Sequence, residues 1–151
     1  MTVRVQEADF DLSSEIAALR QAHPEIGAIA AFIGLVRDVN AGEAVSGLTL
    51  EHYPAMTRKA LEAIAAQAKQ RWKIDDVLVI HRVGRLQPSD QIVLVAVASN
   101  HRGEAFQACE FIMDYLKTQA PFWKQEHTPT GTRWVEARAS DAVAMERWKK
   151  T

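Results

Sequence analysis

The stretch VLVIHRVGRLQPSDQIVLVAVAS, Val77 to Ser99, decides the fold class. Two runs rich in β-branched residues, Val77 to Arg82 and Gln91 to Ser99, read as strands. Between them lies a turn through Gly84 and Pro88-Ser89-Asp90, residue types that punctuate chains rather than continue them. Strand follows strand with no helix between. Alternating βαβ units would place a helix there, so the reading is α+β with a mainly antiparallel sheet and helices packed on it.

The flanking segments fit that frame. Val3 to Gln6 alternates and reads as a short strand. Ser13 or Ser14 can cap a helix to about Gln21, ended by His23-Pro24. Ile26 to Val36 is apolar and reads as a buried strand interrupted by Gly34, where a bulge or a close backbone approach is expected. Asp38 to Gly47 is a polar, turn-rich loop, and Leu48 to Tyr53 a strand. Pro54 opens a helix to about Trp72, with Leu61, Ile64, Ala65 and Ala68 at helical spacing. A second long helix runs from Gly103 to about Thr118 with Phe106, Cys109, Met113 and Leu116 on one stripe. Thr132 to Ala137 is the last strand, and Ser140 or Asp141 caps a terminal helix.

The 151 residues suit one domain over 1–151. A net charge of -1, with 25% charged and 48% apolar residues, argues for a globular protein and against a general nucleic-acid binder. No apolar run approaches the ~20 residues of a membrane helix, and the N-terminus lacks a signal-peptide core, so a cytoplasmic location is expected. Cys109, the single cysteine, sits on an apolar stripe and reads as a small buried hydrophobe. No metal-ligand spacing, phosphate-binding glycine fingerprint or GxSxG elbow is present, and neither a metal nor a cofactor is expected.

Cations mark the candidate chemistry. Asn100-His101-Arg102 stands where the second long helix begins, and cations at that positive helix end make sense if an anion joins them. The plain alternative is a solvated loop with Asn100 as the cap. Lys117 ends the same helix, and Lys124 follows a break at Pro121 and the aromatic pair Phe122-Trp123. Each lysine alone reads as dipole complement or surface, but together they read as a pocket wall. Arg37, ending an apolar strand, is placed to fork onto a phosphate or carboxylate.

His101 and Lys117 bracket one helix, so a straight helix holds them about 24 Å apart at ~1.5 Å rise per residue. One small ligand can meet both only if two copies of the chain each supply one end of the site.

The residues GLVRDVN (34–40), LTLEHYPAMTRKAL (48–61), VIHRVGRLQPSD (79–90), ASNHRGEAF (98–106), FIMDYLKTQAPFWKQE (111–126) and GTRWVEA (131–137) resemble the large, catalytic subunit of molybdopterin synthase. The resemblance covers nearly the whole chain and is weakest over the first 25 residues. It implies an α/β hammerhead fold with an antiparallel sheet. It implies a sulfurtransferase that converts cyclic pyranopterin monophosphate (precursor Z) to molybdopterin by installing two sulfurs. The sulfur would come from the thiocarboxylated Gly-Gly terminus of a small ubiquitin-like subunit. A homodimer of large subunits would form the core of a heterotetramer. By motif position, Arg37, His101, Arg102, Lys117 and Lys124 match the family's pocket, together with Leu35, Val36, Gln125 and Glu126. Many relatives carry a basic residue at the Leu35 and Gln125 positions, so here those two side chains supply no charge. Lys117 is the expected reactive amine, with acid/base and covalent roles both open, and Lys124 its catalytic neighbour. A non-catalytic dimeric module for a phosphorylated small molecule is the other reading these cations allow.

Overall fold

The structure, a computed structural model, describes residues 1–135 and 139–149. In chain order these form β1 (Thr2–Gln6), α1 (Leu12–Ala22), β2 (Ala28–Leu35), β3 (Val39–Asn40), β4 (Glu43–Ala44), β5 (Gly47–His52), α2 (Pro54–Arg71), β6 (Asp76–Arg82), β7 (Gly84–Leu86), β8 (Gln91–Ser99), α3 (Arg102–Gln119), β9 (Phe122–Thr128), β10 (Gly131–Val135) and α4 (Ala139–Lys149). One sheet has the order β1-β6-β8-β2 and a second the order β10-β9-β5-β7. Every pairing in them is antiparallel except β1 with β6. The expected α+β class with a mainly antiparallel sheet is what forms. Among the described residues no helix is long and apolar enough to cross a membrane.

The deciding stretch becomes the centre of the first sheet. Val77, Val79, Val93, Val95 and Val97 face α2 and α3, while Leu78, Ile80, Leu94, Ala96 and Ala98 face α1. Both faces are covered, which is why β6 and β8 read as continuous apolar runs rather than alternating ones. The connection between them is more than a turn. Gly84, at φ 85°, swings the chain out of the first sheet, and β7 pairs with β5 in the second. That left-handed φ is where glycine costs least.

α3 lies against the first sheet and α2. Phe111, fully buried on it, meets the rings of Trp72, Tyr115 and Trp148 at centroid distances of 5.3, 4.4 and 5.6 Å. α4 is clamped onto α3 through Asp114, which accepts from Trp148 Nε1 at 2.6 Å and Arg147 Nη2 at 2.9 Å.

Several expectations are corrected. β2 is an edge strand, with Ala31, Phe32 and Leu35 exposed, rather than a buried one. Gly34 does mark both expected features. The register with β8 shifts between Gly34 and Leu35, and a Cβ on Gly34 would lie 2.8 Å from Val93 Cγ1. The 38–47 loop contains the hairpin β3–β4, turned by Ala41 (φ 53°) and Gly42 (φ 79°), a positive-φ pair that suits the twist of paired strands. α1 is capped by Asp11, whose carboxylate accepts from Ser14 N at 3.1 Å, not by Ser13 or Ser14. Ser140 and Asp141 lie within the first turn of α4 rather than capping it. The last strand was expected to reach Ala137, but Glu136 and Ala137 lie outside the described residues. Phe106 leaves the α3 stripe and is 65% exposed. The chain after Pro121 forms a full strand, β9, where only a bend was expected.

Candidate active site

The second sheet meets the end of α3 and the end of β2 around a cavity of about 440 Å³. That volume falls within the range of small-molecule sites. Three cations reach it from three elements. Arg37 comes from the chain just past β2, Lys117 from the last turn of α3, and Lys124 from β9. Leu35 and Val36 line the same cavity, as does Glu126. The convergence has a simple origin: α3 runs back along β2 and ends where β2 ends, and the break at Pro121 returns the chain as β9 across that end.

Strand alternation sorts the rest of the matched motif. Phe122, Lys124 and Glu126 line the cavity. Gln125 falls on the other face of β9, where its side-chain amide donates to Thr132 Oγ1 at 3.2 Å. The expected contribution of Gln125 as a cavity residue is therefore not what this chain presents.

Glu126 is buried and already engaged. Asn40 Nδ2 donates to its two carboxylate oxygens at 3.0 and 2.9 Å, and Arg133 Nε donates to it at 3.1 Å. Arg133 also donates to the Asn40 backbone oxygen at 3.1 Å and pairs with Glu43. The β3–β4 hairpin is thus held against β9 and β10, and Asn40, itself a lining residue, presents Oδ1 to Arg37 Nη2 at 3.5 Å. Sequence reasoning missed Asn40, although it ends the quoted GLVRDVN motif. It also missed Ser140 and Asp141 as cavity wall, since the α3–α4 clamp that brings them there is a tertiary contact.

Behind the cavity wall, His81 is buried and stacked on Phe122, with ring centroids 3.8 Å apart and planes at 17°. Its Nδ1–H donates to the Arg82 backbone oxygen at 2.8 Å. Burial pushes its pKa down from 6.5 to about 3, and the positive charges of Lys124 and Lys117 push the same way. The ring is therefore neutral at pH 7. Cys109 is buried too; desolvation raises its pKa to about 11, and its Sγ points to the Val95 carbonyl oxygen at 3.6 Å. A thiol so placed is a packing group rather than a nucleophile.

His101 and Arg102 stand at the other end of α3, both exposed, with His101 rather than Asn100 as the cap residue. The 18-residue helix keeps them out of the cavity of their own chain. The cavity thus holds six of the nine expected site residues, and Gln125, His101 and Arg102 lie elsewhere.

The family model of the MoaE protein matches residues 5–119. The chain belongs to the MoaE family. It is 67% identical over 147 residues to the molybdopterin synthase catalytic subunit of Ralstonia nicotianae, covering 97% of this chain and 84% of that one. The solved structure of a molybdopterin biosynthesis MoaE protein from Burkholderia ambifaria superposes with a TM-score of 0.85 at 59% identity, covering 98% of this chain and 97% of that one. The same fold appears, at 20% identity and a TM-score of 0.74, in a protein–protein complex of subunits 1 and 2 of molybdopterin-converting factor from Helicobacter pylori, covering 90% of this chain and 91% of that one. The membership carries the activity of a molybdopterin synthase catalytic subunit, a sulfurtransferase of molybdenum cofactor biosynthesis.

Proposed function

We propose that the cavity is the place where cyclic pyranopterin monophosphate receives its two sulfurs. One observation carries the reading: Arg37, Lys117 and Lys124 converge on a cavity of about 440 Å³, while the two remaining cations of the motif sit at the far end of α3. Arg37 grips the phosphate through charge-assisted hydrogen bonds, together with His101 and Arg102 of a second copy. Lys117 and Lys124 face the reacting atoms. Their ammonium groups stabilise negative charge developing on the acyl carbon's oxygen and on the pterin, and Lys117 exchanges the proton with the substrate. The neutral His81–Phe122 pair gives this wall a non-titrating floor at neutral pH.

The sulfur donor is a small ubiquitin-like subunit that enters by its thiocarboxylated Gly-Gly tail. Glycines carry no side chain to obstruct a narrow entry. The clamped β3–β4 hairpin and the Pro121–Trp123 segment are the walls that tail would pass. The assembly is a cytoplasmic heterotetramer with a homodimer of this chain at its centre. The complex described for the Helicobacter pylori protein supports a two-subunit arrangement.

The test is turnover with purified precursor and thiocarboxylated partner, scored for molybdopterin. Lys117→Ala is expected to abolish product while the chain stays folded. Near-normal product from that variant would remove Lys117 from the chemistry.

A further inference from the structure

A cavity suited to an anionic substrate carries a buried carboxylate in its wall. Glu126 is 7% exposed and lines the same space as Arg37, Lys117 and Lys124. An uncompensated charge there would be costly to bury and would repel a phosphate. Arg133 compensates it. This residue faces Glu126 across the β9–β10 pair and donates to it through Nε at 3.1 Å. Arg133 itself is not among the residues that line the cavity.

The other two nitrogens of the same guanidinium reach the hairpin. Nη2 donates to the Asn40 backbone oxygen at 3.1 Å, and Nη1 donates to Glu43, which pairs with Asn40 across β3–β4. One planar group thus ties β9, β3 and β4 together, which the point charge of a lysine does not do. Asn40 is held at two places as a result. Arg133 engages its backbone oxygen, and Glu126 accepts from its Nδ2 at 3.0 and 2.9 Å. Chemistry fixes the direction of the group that remains. A carboxylate only accepts and a guanidinium only donates. The amide therefore turns Nδ2 to Glu126 and Oδ1 to Arg37, whose Nη2 stands 3.5 Å away.

We propose that Arg133 is a positioning residue for the substrate phosphate, acting through Glu126 and Asn40 to aim the guanidinium of Arg37. Arg37 is exposed, and an arginine has many rotamers. One aimed before binding loses less freedom when it grips a ligand. Glu126 then serves as the joint that fixes the Asn40 amide rather than as a substrate contact. The inference rests on the reading of Arg37 as the phosphate grip and adds the residues that direct it.

Steady-state turnover with purified precursor, at saturating thiocarboxylated partner, tests these contacts in the full-length chain. Arg133→Met keeps an unbranched stem and removes all three donations. Asn40→Ala cuts the link to Arg37 and leaves Arg133 paired with Glu126 and Glu43. Arg37→Ala removes the grip itself and is expected to raise KM for the precursor about tenfold or more, the scale of losing a hydrogen bond to a charged group. Arg133→Met and Asn40→Ala are each expected to raise it about three- to tenfold with kcat within about threefold, because the phosphate takes no part in the chemistry. Added to Arg37→Ala, either one should change KM by less than about twofold, since nothing is left to aim. Thermal unfolding of every variant places the assay temperature below its melting transition. If Arg133→Met does not fold, the Asn40→Ala and Arg37→Ala cycle decides. An unchanged KM in a folded Arg133→Met or in Asn40→Ala would overturn the positioning role, as would effects that multiply in the double variants. An unchanged KM in Arg37→Ala would instead refute the phosphate reading itself, and the positioning role with it.

Discussion

Lowering the pH from 7 to 5 should destabilise the protein by about 2 kcal/mol through His81 alone. The folded imidazole is buried against Phe122 and holds no proton until the pH approaches 3, whereas in the unfolded chain it titrates at its ordinary 6.5. Between those values the unfolded state binds the extra proton. The contribution of His81 is therefore intact above 6.5 and is lost progressively as the pH falls toward 3. For a chain of this length 2 kcal/mol corresponds to a fall in melting temperature of about 4–8 °C. The comparison is thermal unfolding of the parent and His81→Gln at pH 7 and pH 5, at one protein concentration. Glutamine removes the titration and keeps a donor for the Arg82 carbonyl oxygen. The substitution carries its own packing cost at both pH values, so the quantity read is the difference in slope. A His81→Gln protein that loses as much stability as the parent between pH 7 and pH 5 would refute the argument.

Lys117→Ala should cut turnover at least ~100-fold, the scale of losing a positioned acid or charge-stabilising donor. Its melting temperature should stay close to the parent's, because Lys117 is exposed. Asn40→Ala strips two hydrogen bonds from the buried Glu126 carboxylate, and urea unfolding should show a loss of about 1–3 kcal/mol. Phe111→Ala empties the middle of the Trp72–Tyr115–Trp148 ring cluster and should cost about 3–5 kcal/mol in the same assay. His23, bonded to Asp76 at 2.9 Å and to Glu25 at 3.3 Å, has its pKa raised by those partners. Its contribution is full below 6.5 and is lost as the pH rises from there through the folded value, so His23→Gln should flatten the accompanying fall in melting temperature above pH 6.5.

Periodicity and punctuation made most elements legible. α2 carries its buried residues at the spacing seen in the sequence, and β6 and β8 lie where the apolar runs lie. The failures of burial, Ala31, Phe32 and Leu35 on β2 and Phe106 on α3, share one cause. An apolar side chain says that it prefers to leave water, not which surface will cover it. β9 was missed because FWKQEHT lacks a clean apolar alternation. Its inward positions carry Lys124 and Glu126, which serve the cavity rather than a core.

The candidate site divides along the same line. The motif contained Arg37, Lys117 and Lys124, and the length of α3 alone separated His101 and Arg102 from them, since helix rise is a local property. Which face of β9 carries Gln125, the engagement of Glu126 by Asn40 and Arg133, and the neutral His81 behind Phe122 were decided only by tertiary packing. Each depends on which segments, distant in sequence, come to lie side by side. Local backbone preference carries no information about that, whereas strand registry and the desolvation of a particular side chain do.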